Sequence, residues 1–183
     1  MIAACRRETD DDGSCIVLLL LRPKDEEGAS SEQRRIETLV VPLDGSELAE
    51  ASLPYAEELA LKMNLNISLI RVTPTPNLGF PGMEPYAYDG QMYVEMERAA
   101  ESYLHQKQTE LEQRGLRVER TLKGGHPAAH IIDHAEAMEG SLIVMSTHGR
   151  SGVGRWVMGS VADRILRASP SPILLVRSQG AAT

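Results

Sequence analysis

Residues 141–160 read SLIVMSTHGRSGVGRWVMGS: an apolar run, a glycine-bearing loop and the first residues of a helical pattern. This order predicts a buried strand, a loop and a helix N-terminus. Such a loop brings backbone N–H groups and the positive end of a helix dipole to one point, which suits a phosphate group. The stretch therefore indicates an α/β fold with a nucleotide as its ligand.

The remainder of the chain alternates short apolar runs with helical patterns. We predict strands at residues 39–43, 66–73, 116–122, 142–145 and 173–176. The resulting order, βαβαβαβαβ, predicts an open five-stranded parallel sheet with helices on both faces. Ligands of such sheets bind beyond the carboxyl ends of the strands, where both Asp44 and the loop from Ser146 are expected.

Several residues mark where the helices begin and end. Ser46 is a good N-cap for a helix that starts at Glu47, and Pro54 should kink the pattern that follows. Pro127 fits the first position of a later helix, and Gly115 suits the end of a long one. Residues 74–90, which precede the long helix, contain four prolines and predict a long loop.

The amino-acid composition argues against nucleic-acid and membrane partners. The net charge of −7 and the aromatic content of 4% argue against a nucleic-acid binder, which needs a basic face or stacking platforms. The apolar run Cys15–Leu21 is too short to span a bilayer. Residues 10–12 before it are aspartates, the wrong charge for a signal peptide. We therefore expect a cytoplasmic protein without a membrane or nucleic-acid partner.

The N-terminal residues do not fit the alternating scheme. We expect an extension over residues 1–35 with one strand, Cys15–Leu21, and a polar linker, then a domain over residues 36–178 and a tail over residues 179–183. The segment Ser14–Arg22 resembles Ser171–Arg177. It could be the last strand of a preceding repeat, or an unrelated strand that adds to the sheet edge.

Residues 39–46, the stretch 142–160 and the closing strand together resemble the universal stress protein family, over roughly residues 36–178. The ATP-binding branch of that family carries a glycine, two residues, a second glycine, nine residues, and then glycine with serine or threonine. Here Gly149 is the second glycine and Gly159-Ser160 the final pair, at the correct spacing, whereas Ser146 replaces the first glycine. The resemblance implies a Rossmann-like fold of the adenine nucleotide alpha hydrolase type, ATP as ligand and a role in stress response.

The resemblance also implies which residues form the binding site. Pro42, Asp44 and Val72 would enclose the base and ribose, and Asp44 could hold Mg²⁺ at the phosphates or accept from a ribose hydroxyl. Glycines allow close approach of the backbone, and the Ser160 hydroxyl can donate to phosphate oxygens. The loop and helix residues expected to bind are Met145, Ser146, His148, Gly149, Arg150, Gly152, Gly159, Ser160 and Val161.

Each assignment has a plainer alternative. The glycine loop could be a tight strand–helix turn, Asp44 could only shape a turn or cap, and Ser146 could crowd the ligand instead of donating to it. The chain has no Gly-Lys-Ser/Thr sequence, so strong hydrolysis of Mg-ATP is not implied. The candidate functions are an ATP-binding regulatory or sensor module, a nucleotide-free interaction module, and a weak ATPase.

Two further expectations concern metals and assembly. His126, His130 and His134 recur at a spacing of four, so the last two could share a helix face and chelate a metal. His126 stands just before Pro127, outside the helix, and no Cys or carboxylate completes a convincing set, so capping or solvent-facing roles are favoured over a metal site. The final strand, Ile173–Val176, is expected at a sheet edge, and an exposed apolar edge must be covered. Members of the family dimerise there, so a homodimer is expected; alternatively, the N-terminal strand covers this edge within one chain.

Overall fold

A computed structural model describes residues 3–7, 17–21, 35–75, 90–147 and 158–176. Within them, seven strands form one sheet in the order β1-β2-β7-β6-β3-β4-β5. The strands are β1 (Ala3–Arg7), β2 (Val17–Leu21), β3 (Thr38–Pro42), β4 (Asn66–Thr73), β5 (Arg117–Gly124), β6 (Ser141–Ser146) and β7 (Ile173–Val176).

In the described part of the chain, five helices connect these strands and cover the sheet. They are α1 (Glu47–Glu50), α2 (Leu53–Met63), α3 (Gly90–Glu112), α4 (Pro127–Glu136) and α5 (Ser160–Ala168). Ser46 caps α1 as predicted, because its side chain accepts from the N–H of Ala49. Pro127 begins α4, and Gly115, with φ +85°, follows the end of α3. All three helix signals are confirmed.

The predicted kink at Pro54 is instead a complete break. The helical pattern divides into α1 and α2, and Pro54 lies in the first turn of α2. Proline has no N–H to donate, and the first turn of a helix is where none is needed. Proline therefore sets where the second helix starts and does not bend a continuous one.

The predicted five-stranded parallel sheet is confirmed as β3 to β7. β3 lies at its centre, parallel to β4 on one side and to β6 on the other. Residues of β3 alternate between two cores, since Leu39 and Val41 pack with α2 and α3 whereas Val40 packs with α4 and α5. All residues of β6 and β7 are buried, as expected for parallel strands covered on both faces.

Two expectations about the sheet edge were wrong. The N-terminal extension holds two strands, not one, because β1 pairs antiparallel with β2 along its whole length. β2 pairs antiparallel with β7, so Ile173–Val176 is not an edge strand. The alternative, that the N-terminal strand covers this edge within one chain, is the one observed. β1 was missed because Ala3–Arg7 carries little β propensity and ends in two arginines.

Candidate functional site

A cavity of about 340 Å³ opens at the carboxyl ends of β3, β4 and β6. The chain leaves β3 for β4 on one side of the sheet and returns to β6 on the other, so this is the crevice where parallel α/β sheets bind ligands. Its lining comes from the ends of these strands and from α3, α4 and α5. A site here draws on residues that are far apart in the sequence.

Most of the residues predicted to bind line this single cavity. They are Pro42, Asp44, Val72, Met145, Ser146, Gly159, Ser160 and Val161. The remaining four lie outside the described residues: His148, Gly149, Arg150 and Gly152. The structure thus brings the two halves of the predicted site together; their role in binding stays a prediction.

The N-terminus of α5 forms one wall of the cavity. Gly159 is its N-cap and has no side chain that could cap the helix. The amide of Gly159 donates to the carbonyl of Thr147 at 2.9 Å, which ties the two ends of the loop together. The first amide of α5 bonded within the helix is that of Asp163, which donates to Gly159. The preceding amides, those of Ser160, Val161 and Ala162, have no intrahelical acceptor, so they are the ones suited to an anion.

The backbone conformation of Gly159 does not itself require a glycine. Its φ is −59° and its ψ is 145°, values that any residue adopts. The predicted advantage of this glycine therefore depends on the space a side chain would occupy beside the ligand, and not on backbone freedom. The backbone angles therefore also allow an alanine at this position, whereas a larger, β-branched side chain would occupy space at the helix N-terminus.

Asp44 occupies the opposite wall and shapes the turn that leaves β3. Its Oδ1 accepts from the Ser46 N–H at 2.9 Å and from the Ser46 hydroxyl at 2.6 Å. Asp44 therefore shapes this turn, and its role toward a ligand stays a prediction. Within the described residues, no group of three His, Cys, Asp or Glu side chains could hold a metal, so a cation at Asp44 would need further ligands from phosphate or water.

Arg71 is a lining residue that the sequence analysis missed. Its guanidinium lies against Gly45, with Nη1 3.0 Å from where a Cβ would stand, and 4.9 Å from the centre of the Tyr103 ring. Arg71 is the one charged residue in the segment Ile67–Val72, which was the available signal. Because Arg71 and Asp44 both line the cavity, this part of it carries both signs of charge.

A partly buried group of polar side chains near Arg71 connects α1 with α3. The Tyr103 hydroxyl donates to Glu50 at 2.8 Å, and Lys107 Nζ donates to the other oxygen of Glu50 at 2.8 Å. Burial, followed by the hydrogen bond and charge of Glu50, raises the pKa of the Tyr103 hydroxyl. Burial alone would lower the pKa of Lys107, but Glu50 and Glu110 outweigh it and raise that pKa. Tyr103 therefore stays protonated and Lys107 charged beneath Arg71.

The third wall is apolar. Side chains of Ile70, Ile131 and Met145 belong to the core on the α4 and α5 side and also line the cavity, together with Val72 and Met96. Flat aromatic rings bury well against such surfaces. The cavity thus combines an apolar wall, a helix N-terminus, a carboxylate and a guanidinium.

The three spaced histidines take different positions around α4. His126 is the N-cap residue of α4, and His130 lies close to Gly125. His134 Nε2 lies 2.8 Å from the hydroxyl of Ser68 on β4. Burial lowers the pKa of His134, although Glu119 opposes this effect. This side chain therefore connects α4 to the sheet, one turn beyond the cavity residue Ile131.

A second cavity, of about 510 Å³, lies at the amino ends of β3, β6 and β7. Three of its lining residues are glutamates, Glu37, Glu136 and Glu139. This charge is unfavourable for a phosphate, so we assign the predicted site to the first cavity.

The family model described as the universal stress protein family matches residues 35–177. This chain belongs to the universal stress protein family. Universal stress protein MJ0531 of Methanocaldococcus jannaschii is 28% identical over 140 residues, which cover 76% of this chain and 81% of that protein. Universal stress protein YxiE of Bacillus subtilis is 26% identical over 144 residues, which cover 76% and 97% of the two chains. The resemblance inferred from the sequence is confirmed.

Solved structures of the family share the fold of this universal stress protein. MJ0577 of M. jannaschii gives a TM-score of 0.68 at 21% identity, covering 79% of this chain and 98% of that one. A universal stress protein in complex with cAMP gives 0.57 at 19% identity, covering 79% and 99%. One from Archaeoglobus fulgidus in complex with dAMP gives 0.51 at 19% identity, covering 78% and 98%.

Among the described residues of this universal stress protein, no helix combines the length and the apolar character needed to cross a membrane.

Proposed function

We propose that this universal stress protein binds ATP, with Mg²⁺ at the phosphates, and acts as a regulatory or sensor module in stress response. The observation that carries the proposal is that the uncapped N-terminus of α5 and the side chain of Asp44 line the same cavity. We also propose a cytoplasmic location, because ATP is an intracellular nucleotide.

Each part of the nucleotide has a wall suited to its chemistry. The adenine ring would lie on the apolar wall of Val72 and Met145. The phosphates would accept hydrogen bonds from the Ser160 hydroxyl and from the first amides of α5. Asp44 would hold Mg²⁺ or accept from the ribose. A volume of about 340 Å³ lies within the usual size of small-molecule sites.

The choice of adenine rests on the relatives. Two structures with this fold were solved in complex with cAMP and dAMP, which share an adenine base and a phosphate. The sequence contains no Gly-Lys-Ser/Thr, so we assign no catalytic residue and expect at most slow hydrolysis.

Thermal and chemical unfolding with ATP, with and without Mg²⁺, tests the proposal. At a hundredfold excess of ATP over its Kd, binding should add about 2.7 kcal/mol to the free energy of unfolding. Gly159→Val should abolish this gain by filling the space at the helix N-terminus. Ala168→Val adds a similar side chain at the exposed far end of α5 and should leave the gain intact. Equal ATP stabilisation in both variants would place the ligand elsewhere.

Two further measurements separate the rival functions. Mass spectrometry of the purified protein would identify a nucleotide that copurifies with it. Release of phosphate above the Gly159→Val background would support a weak ATPase. The absence of both ATP stabilisation and a copurified nucleotide would support a nucleotide-free interaction module.

A further inference from the structure

Several methionines lie around the first cavity. Met96 and Met145 line it. Met158 directly precedes Gly159 and packs against the core on the α4 and α5 side. Met92 lies one helical turn before Met96 on α3, and two side chains at this spacing share a helix face. The apolar wall of the cavity and its surroundings therefore contain oxidisable thioether sulfur.

The thioethers differ in their exposure to solvent. Met92 is 64% exposed, whereas Met145 is only 6% exposed. Met96 is partly buried, between these two limits, and lines the cavity. An oxidant in solution must reach the sulfur to react with it, so we expect oxidation first at Met92, then at Met96 and last at Met145.

The first turns of α3 lie against the carboxyl ends of the strands. The Tyr93 hydroxyl lies 3.3 Å from where a Cβ of Gly124, the last residue of β5, would stand. Ala100 and Leu104 follow Met96 at intervals of four residues, and both are fully buried. Met96 therefore continues the sheet-facing side of α3 up to the cavity, and a change in its polarity changes the polarity of the cavity wall.

We propose that Met96 is an oxidation site through which a hydroperoxide lowers the affinity of the cavity for its nucleotide. Hydrogen peroxide transfers one oxygen atom to the thioether sulfur, which is oxidised by two electrons. The O–O bond breaks, a bond between sulfur and oxygen forms, and both hydrogens of the peroxide leave as water. Methionine sulfoxide is the product, and methionine sulfoxide reductases reverse the step. The effect on affinity rests on the proposed function, whereas the oxidation itself does not.

A sulfoxide at this position would bring a polar oxygen to the apolar wall. Val72, Ile131 and Met145, which line the same cavity, have no strong hydrogen-bond donor in their side chains. When an adenine ring covers this wall, the sulfoxide oxygen loses water without gaining a donor from these neighbours. We therefore expect oxidation of Met96 to weaken ATP binding by about tenfold. Because coupling is reciprocal, bound ATP should slow the oxidation of Met96.

Peptide mass spectrometry of the full-length protein treated with hydrogen peroxide tests the oxidation. Without nucleotide, sulfoxide should form at Met92, then Met96, then Met145. ATP should slow the reaction at Met96 and leave Met92 unchanged. Met63, which is 52% exposed at the C-terminal end of α2, should react equally with and without ATP. The proposal would be overturned by oxidation of Met96 no faster than that of Met145, or by a rate at Met96 that bound ATP leaves unchanged.

Calorimetric titration with ATP before and after peroxide measures the effect on affinity. The wild type should lose about tenfold, and methionine sulfoxide reductase should restore the loss. Met96→Leu replaces the thioether by a hydrocarbon of similar volume, so peroxide should leave its affinity where it started, whatever the starting value. Met92→Leu removes the more exposed thioether and should still lose about tenfold. Equal losses in Met96→Leu and the wild type would overturn the proposal.

The outcomes distinguish this proposal from the proposed function. Untreated protein that does not bind ATP would contradict the proposed function and, with it, control of affinity by Met96. Untreated protein that binds ATP, and keeps its affinity once Met96 is a sulfoxide, would contradict only the role of Met96.

Discussion

The Oδ1 atom of Asp44 accepts from both the N–H and the hydroxyl of Ser46, at 2.9 and 2.6 Å. The Ser46 hydroxyl oxygen in turn accepts from the N–H of Ala49 at 3.2 Å. Asp44 therefore helps to organise the start of α1 while it lines the cavity. Its geometric role needs only an oxygen, whereas its proposed role toward Mg²⁺ needs the negative charge.

Asp44→Asn separates these two roles. An asparagine oxygen can accept the same hydrogen bonds, so we expect the fold to be retained. Removing Mg²⁺ with a chelator should weaken ATP binding to the wild type by at least about tenfold, or about 1.4 kcal/mol. Calorimetric titration should find the variant equally weak with and without Mg²⁺. A variant that keeps the full Mg²⁺ dependence would contradict a metal role for Asp44.

Ser46→Ala is the matched control for the turn. It removes the hydroxyl that bonds Asp44 and caps α1, at a cost of about 1 kcal/mol in the free energy of unfolding. The carboxylate remains, so the dependence of ATP binding on Mg²⁺ should persist.

Arg71 should contribute to nucleotide affinity through its charge. Its guanidinium is held over Tyr103, at 4.9 Å from the ring centre, at the edge of the cavity. A charged hydrogen bond contributes about 1.5 to 3 kcal/mol, so Arg71→Met should weaken ATP binding by roughly 10- to 100-fold. Arg120→Met, on the neighbouring strand, removes a surface pair with Glu101 and should leave the affinity unchanged. Equal affinities in the two variants would exclude Arg71 from the site.

Protonation of His134 should destabilise the fold in mild acid. Burial lowers the pKa of His134 in the folded protein, where Ser68 is its hydrogen-bond partner, Glu119 opposes the shift and Lys123 reinforces it. Because the unfolded chain then binds the proton more readily, the stability due to neutral His134 is present above about pH 6.5 and is lost as the pH falls through the folded-state pKa.

Urea unfolding between pH 5 and 8 measures this effect. The wild type should lose stability as the pH falls, and His134→Gln should lose less of it. His105→Gln, at an exposed position of α3, should behave like the wild type. If the pH profiles of wild type and His134→Gln coincide, the pH dependence has another source.

The parallel sheet was predictable because its signals are local. β4 and β7 were predicted with the bounds observed, since Pro74 ends β4 and the continuous apolar run of β7 ends before Arg177. β1 was not predictable, because Ala3–Arg7 is a strand only through its pairing with β2. The position of β7 inside the sheet has the same cause: the sequence shows an apolar strand but not its neighbour.

The candidate site was predictable where a residue follows the end of a strand. Asp44 and Ser160 were expected near each other because strand ends and helix starts meet at one edge of a parallel sheet. Arg71 could not be placed in this way, since its position depends on Tyr103, a residue of a distant helix. Gly159 was also expected to bind, and the sequence could not show that its amide donates to the carbonyl of Thr147.

Two glycines with positive φ should differ in their tolerance of a side chain. Gly115 has φ +85° and open space around a Cβ, so Gly115→Ala should cost only the backbone strain, about 1 to 2 kcal/mol. Gly140 has φ +64°, and its Cβ would lie 2.3 Å from the carbonyl oxygen of Arg35. Backbone atoms cannot yield easily there, because Glu37 donates to the Gly140 carbonyl at 2.8 Å. Gly140→Ala should therefore cost about 1 to 3 kcal/mol more than Gly115→Ala, measured by urea unfolding of both variants. Equal losses would show that the start of β3 moves freely away from Gly140.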